Sequence, residues 1–70
     1  MKYLVVTGPT NTGFSAYSPD LSGCISTGRM RKEVERNMHD AIEFHLEGRR
    51  EEGYLIPEPH SNSASVEAAA

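Results

Sequence analysis

Three histidines and one cysteine are the side chains in this sequence that most often bind metals or act in catalysis. His39 and His45 are six residues apart in a stretch with helical periodicity. They would therefore lie about 120° apart around a helix and could not share a metal as an i, i+4 pair does. His45 falls on the apolar side of that helix and is predicted to be partly buried and hydrogen-bonded, the alternative being a pH-sensitive contact near the core. Cys24 has no base beside it and is predicted to be a small buried strand residue.

The carboxylates offer no clearer catalytic arrangement. Asp20 stands in a Ser-Pro-Asp-Leu-Ser-Gly stretch typical of a turn and is predicted to accept local backbone hydrogen bonds. The alternative is that Asp20 pairs with a helix carboxylate around a divalent ion, as in a degenerate nuclease. Glu43 and Glu47 are predicted on a solvated helix face, and Gly8 and Gly13 match neither phosphate-binding glycine motif. The sequence thus predicts no catalytic residue, no metal, no cofactor and no enzyme.

Four elements are expected to position these side chains. Residues 2–7, 14–18 and 24–27 are rich in β-branched, aromatic or alternating residues and are predicted to be strands. Short turns join them, which favours an antiparallel meander. Residues 30–52 have helical periodicity, and Gly53 is well placed to end that helix as its C′ residue.

The helix and the sheet are each predicted to have one core-facing side. The helix has one apolar arc, which contains Met30, Val34, Met38, Ala41, Ile42, His45 and Leu46, with Phe44 just outside it. Strand alternation then assigns one set of residues to the helix side, namely Leu4, Val6, Phe14 and Ala16. The opposite set is predicted to face outward and is formed by Tyr3, Val5 and Tyr17.

Size and charge limit the class of protein. A chain of 70 residues with 37% hydrophobic residues and no Trp buries a small core, and its single cysteine excludes an internal disulfide. We therefore expect oligomerisation or a protein partner. The net charge of −3 argues against binding nucleic acid. No apolar run is long enough for a membrane span or a secretory signal, so we expect a cytoplasmic protein.

Two blocks of the sequence resemble the HicB-like antitoxin family. Residues 17–24, Tyr-Ser-Pro-Asp-Leu-Ser-Gly-Cys, are similar to the family hallmark "Y-x-P-D-L-P-G-C". Residues 41–53, followed by Ile-Pro-Glu-Pro at 56–59, are similar to its helix end and "P-x-P" exit. The resemblance covers residues 2–60, and its specificity comes from the two blocks in combination. Ser22 and Met30 depart from the family pattern, which usually has Pro in the turn and Thr at the helix cap.

The resemblance implies an α+β fold of the truncated ribonuclease H type. Its order is β-β-β-α-β: a three-stranded antiparallel meander, one helix, and a fourth strand beside the first. Residues 1–60 would form the HicB-like domain, and residues 61–70 a C-terminal edge strand or a frayed tail. Many family members continue into a DNA-binding domain. None is expected in this sequence, so DNA binding by this chain alone is not predicted.

The resemblance also implies a function. Family members are antitoxins that bind and neutralise the HicA toxin, a small ribonuclease that cleaves messenger RNA. The predicted partner-binding residues are Tyr17, Ser18, Pro19, Asp20, Leu21, Gly23 and Cys24 from the motif, together with Glu43 and Glu47 from the face analysis. Self-association into a dimer or tetramer is predicted through Tyr3, Val5 and Phe44. The alternative is an oligomeric adaptor of the same fold that has no toxin partner.

Overall fold

Three short strands and one long helix form the regular structure of residues 1–69, the part of the chain that the computed structural model describes. In chain order they are β1 (Val6–Pro9), β2 (Phe14–Tyr17), β3 (Ile25–Gly28) and α1 (Arg31–Glu51). The strands form one antiparallel sheet in the order β1-β2-β3. The predicted meander and helix are confirmed, which agrees with the α+β class, but the first strand covers residues 6–9 where residues 2–7 were predicted.

The sheet register decides which side of each strand meets the helix. Ala16 is buried and pairs with Thr7 on one neighbour and Ser26 on the other. Tyr17 pairs with Val6 and Ile25, and this next row of side chains points to the opposite face because strand side chains alternate. Tyr17 is 50% exposed and Ile25 69% exposed. The outward orientation predicted for Tyr17 is therefore confirmed.

The prediction of which side chains in the first strand face the helix was wrong, because the alternation is shifted by one residue. Tyr3 and Val5 pack against the core, whereas Val6, predicted to face the helix, is exposed. Thr7 is the register partner of buried Ala16, so the odd-numbered side chains of this segment lie on the same side of the sheet as Ala16. Hydrophobicity alone did not distinguish the two faces, because residues 3–6 are all apolar.

The core is formed where the helix crosses the sheet. Its five buried apolar residues are Ala16, Leu21, Cys24, Val34 and Met38. Half-buried apolar side chains surround them, namely Tyr3, Val5, Phe14, Ala41, Ile42 and Leu46. The predicted helix arc is thus largely confirmed, except that Met30, at the N-cap of α1, is exposed. Cys24 is buried, as predicted.

The two ends of α1 are stabilised differently. At the C-terminus, the Gly53 amide donates to the Arg50 carbonyl and the Tyr54 amide to the Arg49 carbonyl. With Gly53 at a φ of +77°, these two bonds form a Schellman motif, as the sequence predicted for this glycine. At the N-terminus, Met30 makes no side-chain cap. Instead Glu33 accepts a hydrogen bond from the Arg29 amide at 3.1 Å.

The segment after the helix contains no regular element within residues 54–69. The fourth strand expected over residues 61–70 is therefore not formed in residues 61–69, and Ala70 lies outside the described residues. Residues 57–61, which we call the strap, are nevertheless hydrogen-bonded to the turn after β2 and to the segment before β1. In residues 1–69, α1 is the only helix, and it is not apolar enough to cross a membrane.

Candidate functional site

The motif segment 17–24 folds into a tight turn between β2 and β3. The Leu21 amide donates to the Ser18 carbonyl at 3.1 Å, and the Cys24 amide donates to the Leu21 carbonyl at 3.2 Å. Gly23 has a φ of +77°, a conformation that favours glycine because it has no Cβ. These bonds turn the chain back on itself and direct Leu21 and Cys24 into the core.

Burial divides the predicted partner-binding residues of this segment into two groups. Ser18, Leu21 and Cys24 are each less than 5% exposed, which argues against direct contact of these three side chains with a partner. The remaining members are exposed or half-buried, namely Tyr17, Pro19, Asp20 and Gly23. Burial also raises the pKa of the Cys24 thiol, so it favours the uncharged form and not a nucleophilic thiolate.

Asp20 makes long-range contacts, not the local backbone bonds that the turn sequence predicted. Its Oδ2 accepts hydrogen bonds from the amides of His60, at 3.0 Å, and Ser61, at 2.9 Å. Its Oδ1 accepts one from the Ser61 hydroxyl at 2.9 Å. These donors, the Ser61 amide above all, hold the pKa of Asp20 below its usual value. Asp20 therefore anchors the strap to the motif turn.

A second contact fixes the other end of the strap. The Tyr3 hydroxyl donates a hydrogen bond to the Pro57 carbonyl. Tyr3 is half-buried against the core, so this bond joins the strap to the segment that leads into β1. No sequence pattern linked either residue pair, because the partners are 54 residues apart for Tyr3 and 40 or more for Asp20.

Asp20→Ala is expected to release the strap while leaving the sheet and helix folded. The substitution removes both acceptor oxygens and with them all three hydrogen bonds, so the amides of His60 and Ser61 should lose protection in hydrogen–deuterium exchange. Because the folded-state pKa of Asp20 is lowered, this protection should be present above the ordinary carboxyl pKa and lost as the pH falls through the lowered value.

Asp40→Ala is the matched control for this prediction. Asp40 is an exposed helix carboxylate whose contact is with neighbouring His39. Its removal should leave exchange at residues 60 and 61 unchanged. If Asp20→Ala also left both amides as protected as in the unmodified chain, Asp20 would not be the anchor.

A groove on one side of the helix brings together residues that the sequence assigned to two different roles. We call it the β1–α1 groove; it holds about 610 Å³ between α1 and the segment before β1. Its apolar floor consists of Tyr3, Val5, Ile42 and Leu46, and its charged rim includes Glu35, Glu43, Glu47 and Arg50. The predicted partner-binding acids Glu43 and Glu47 thus line the same groove as Tyr3 and Val5.

A second groove, the β3–α1 groove, lies on the other side of the helix and holds about 500 Å³. Cys24, Ile25, Phe44, His45 and Tyr54 are among its lining residues. Phe44 is 80% exposed, so its predicted position outside the core is confirmed. His45 is partly buried, as predicted, but its buried Nε2 has no hydrogen-bond partner within residues 1–69, so the predicted hydrogen bond is not found at this atom. Self-association through Phe44 stays a prediction.

Sequence reasoning missed several residues of these surfaces. Glu35, Ile42, Leu46 and Arg50 were not proposed as site residues, although all four line the β1–α1 groove. They are spaced seven, four and four residues apart, which is the pattern of side chains on one face of a helix. Glu43 and Glu47 lie between them in the sequence. Ser61 and Pro57 carried no comparable signal. Within residues 1–69 no group of three or more His, Cys, Asp or Glu side chains is arranged to hold a metal ion.

Comparison with known proteins identifies a family. Residues 3–69 match a family model described as "HicB_like antitoxin of bacterial toxin-antitoxin system". An uncharacterised 14.9 kDa protein from the rep–hol intergenic region of Haemophilus phage HP1 is 35% identical over 57 residues, which are 81% of this chain and 43% of that protein. UPF0150 protein Ta0767 of Thermoplasma acidophilum is 29% identical over 69 residues, covering 97% of this chain and 100% of that protein.

Two solved structures are similar in fold. A chain of the HicA3 and HicB3 toxin–antitoxin complex superposes with a TM-score of 0.74 at 30% identity, covering 86% of this chain and 70% of that chain. The crystal structure of the antitoxin HicB3 superposes with a TM-score of 0.71 at 30% identity, covering 86% of this chain and 44% of that one. The chain thus spans less than half the length of the phage relative and of the HicB3 crystal chain.

Proposed function

The chain belongs to the HicB-like antitoxin family of bacterial toxin–antitoxin systems, and from this we propose that it binds and neutralises a small HicA-type toxin. The match of residues 3–69 to the family model carries the proposal. The similarity at 30% identity to a chain of the HicA3 and HicB3 toxin–antitoxin complex supports the identity of the partner. We place this neutralisation in the cytoplasm, where a toxin that cleaves messenger RNA finds its substrate.

The proposed mechanism is stoichiometric masking by protein contact, without catalysis by this chain. Its surface suits that role, because two grooves with apolar floors flank the helix and acidic side chains line both. A ribonuclease needs a basic surface to hold the phosphate backbone. Complementary charge on an antitoxin speeds encounter with such a surface and aligns the two proteins.

Co-expression with its cognate HicA-type toxin should restore growth that the toxin alone arrests. The purified pair should form a complex of defined stoichiometry in native mass spectrometry. The chain alone, incubated with the toxin's RNA substrate, is expected to leave that RNA intact. The negative control is Val34→Asp, which places a charge at a fully buried core position. It should unfold the domain and so abolish both the rescue of growth and the formation of the complex.

Two results would contradict the proposal. Growth arrest that persists during co-expression, together with no complex in native mass spectrometry, would exclude neutralisation of that toxin. If the chain then formed only homo-oligomers, the adaptor alternative would replace the antitoxin. Cleavage of RNA by the chain alone, lost in Asp20→Asn, would instead support the nuclease alternative.

A further inference from the structure

The strap is held to the rest of the domain by two side chains instead of a backbone ladder. Asp20 accepts the three hydrogen bonds at one end of the strap, and Tyr3 donates the one at the other end. Proline has no backbone N–H, so Pro57 and Pro59 lack the donors that a paired strand would need at these positions. This is a physical reason why residues 57–61 do not form a fourth strand.

The strap is extended and stiff. Its burial alternates, with Pro57, Pro59 and Ser61 half-buried and the two residues between them exposed. Alternating burial places every second residue against the domain, as in an extended chain. The two prolines restrict φ and favour a stiff, extended backbone. At about 3 Å per residue the two anchored ends are about 12 Å apart, so movement at one end is transmitted to the other.

The Asp20 end of the strap is fixed to the core. Asp20 stands directly before Leu21, which is buried and packs in the core with Val34 and Met38. The hydrogen bond from the Leu21 amide to the Ser18 carbonyl closes the turn around Asp20. The carboxylate therefore has little freedom to move. It provides a rigid acceptor for the three donors of the strap.

The Tyr3 end of the strap is at the β1–α1 groove. The Tyr3 ring is half-buried and lines this groove together with Ile42 and Leu46 of α1. Tyr3 precedes β1, so the sheet ladder does not hold it. Its hydroxyl donates to the Pro57 carbonyl, and this bond fixes the rotamer of the side chain. Without the bond the ring would exchange between rotamers, and the shape of the groove would change.

We propose that the strap couples the motif turn to the β1–α1 groove, so that Asp20 is a positioning residue for Tyr3. When the strap is closed, both anchors are made and the Tyr3 ring is held in the wall of the groove. When the strap is open, neither anchor is made, and the ring is released together with residues 62–69, which we call the tail. The two anchors belong to one two-state element, and each stabilises the other.

The coupling allows the tail to control the groove. The tail is exposed, so another protein can reach it. A protein that binds the tail and draws it away from the domain favours the open strap and so loosens Tyr3. An occupant of the groove that holds the Tyr3 ring in place favours the closed strap, because linkage between two binding events is reciprocal. The coupling lies within the chain and does not depend on which molecule occupies the groove.

Tyr3→Phe tests the coupling from the groove end of the strap. The variant keeps the ring and removes the hydroxyl that binds the Pro57 carbonyl. Losing this one hydrogen bond should speed exchange of the His60 and Ser61 amides, at the other end, by about two- to tenfold. Hydrogen–deuterium exchange followed by NMR measures both amides. Tyr54→Phe is the matched control, because it changes an exposed tyrosine at the β3–α1 groove and should leave both rates unchanged.

Asp20→Asn tests the coupling from the motif end. Asparagine has nearly the same size and keeps one acceptor oxygen, so the turn should fold while the strap is weakened. We expect the NMR resonances of the Tyr3 ring and of the Ile42 and Leu46 methyl groups to change in position or line width. Asp20→Ala keeps no acceptor and should change the same resonances more. Glu67→Gln, the same acid-to-amide change in the exposed tail, should leave them unchanged.

The proposal is overturned if either effect is confined to its own end of the strap. Unchanged exchange of the His60 and Ser61 amides in Tyr3→Phe would show that the two anchors act independently. Faster exchange in Asp20→Asn and Asp20→Ala, with unchanged groove resonances, would reduce the strap to a local contact. Circular dichroism should show the same helix content in all variants, so that the changes report on the strap and not on unfolding of the domain.

Discussion

Leu21→Ala is expected to lower the free energy of unfolding by about 2–5 kcal/mol, the range for a buried leucine that leaves a cavity. Leu21 is 1% exposed and packs in the core with Val34 and Met38. A domain of this length has a total stability of only about 3–10 kcal/mol. The variant should therefore unfold at a clearly lower urea concentration and temperature than the unmodified chain, as measured by circular dichroism.

Leu55→Ala is the matched control, since it removes the same atoms from a side chain that is 87% exposed. It should change the free energy of unfolding by no more than about 0.5 kcal/mol. A small effect for both variants would mean that the motif turn is not part of the core. Such a result would return Leu21 to the group of residues available for contact with a partner.

Gly13→Ala is expected to destabilise the domain by about 1–3 kcal/mol, and more if the loop cannot shift. A Cβ at position 13 would lie 2.3 Å from the Gly28 carbonyl oxygen and 2.8 Å from the Arg29 Cα. Both are backbone atoms at the end of β3, so no side-chain rotation can relieve the overlap. The loop between β1 and β2 would have to move away from the start of the helix.

Gly8→Ala provides the comparison, because Gly8 borders the same loop and a Cβ there would meet nothing within 4 Å. That substitution should be neutral or stabilising by up to about 1 kcal/mol, since alanine restricts the unfolded chain. Urea unfolding of the two variants under identical conditions measures the difference. Equal stabilities would contradict a close approach between the β1–β2 loop and the end of β3.

The first prediction bears on how the family motif acts in this chain. Three of its side chains, Ser18, Leu21 and Cys24, are buried, and Asp20 binds the strap. Both observations indicate an intramolecular role for a segment that the sequence predicted to bind a partner. Tyr17 and Pro19 remain exposed and stay predicted contact residues. The motif thus shapes the domain, and Glu43 and Glu47 on α1 likewise stay predicted contact residues.

Local patterns in the sequence determined the elements of the fold. Turn residues separated the three strands, and short connections implied antiparallel pairing between neighbours. Helical periodicity located Val34 and Met38 in the core, and Gly53 marked the end of the helix. These features depend on residues within a few positions of one another, so physical rules for turns, caps and periodicity are sufficient to predict them.

Only the tertiary structure determined which distant residues lie side by side on the candidate binding surface. The side of β1 that faces the helix depends on its register with Ala16, and a shift of one residue reverses every side chain. Asp20 finds its donors about 40 residues away, and Tyr3 joins Glu43 and Glu47 in one groove. Contacts between such distant residues arise from the packing of whole elements, and local sequence rules do not contain that information.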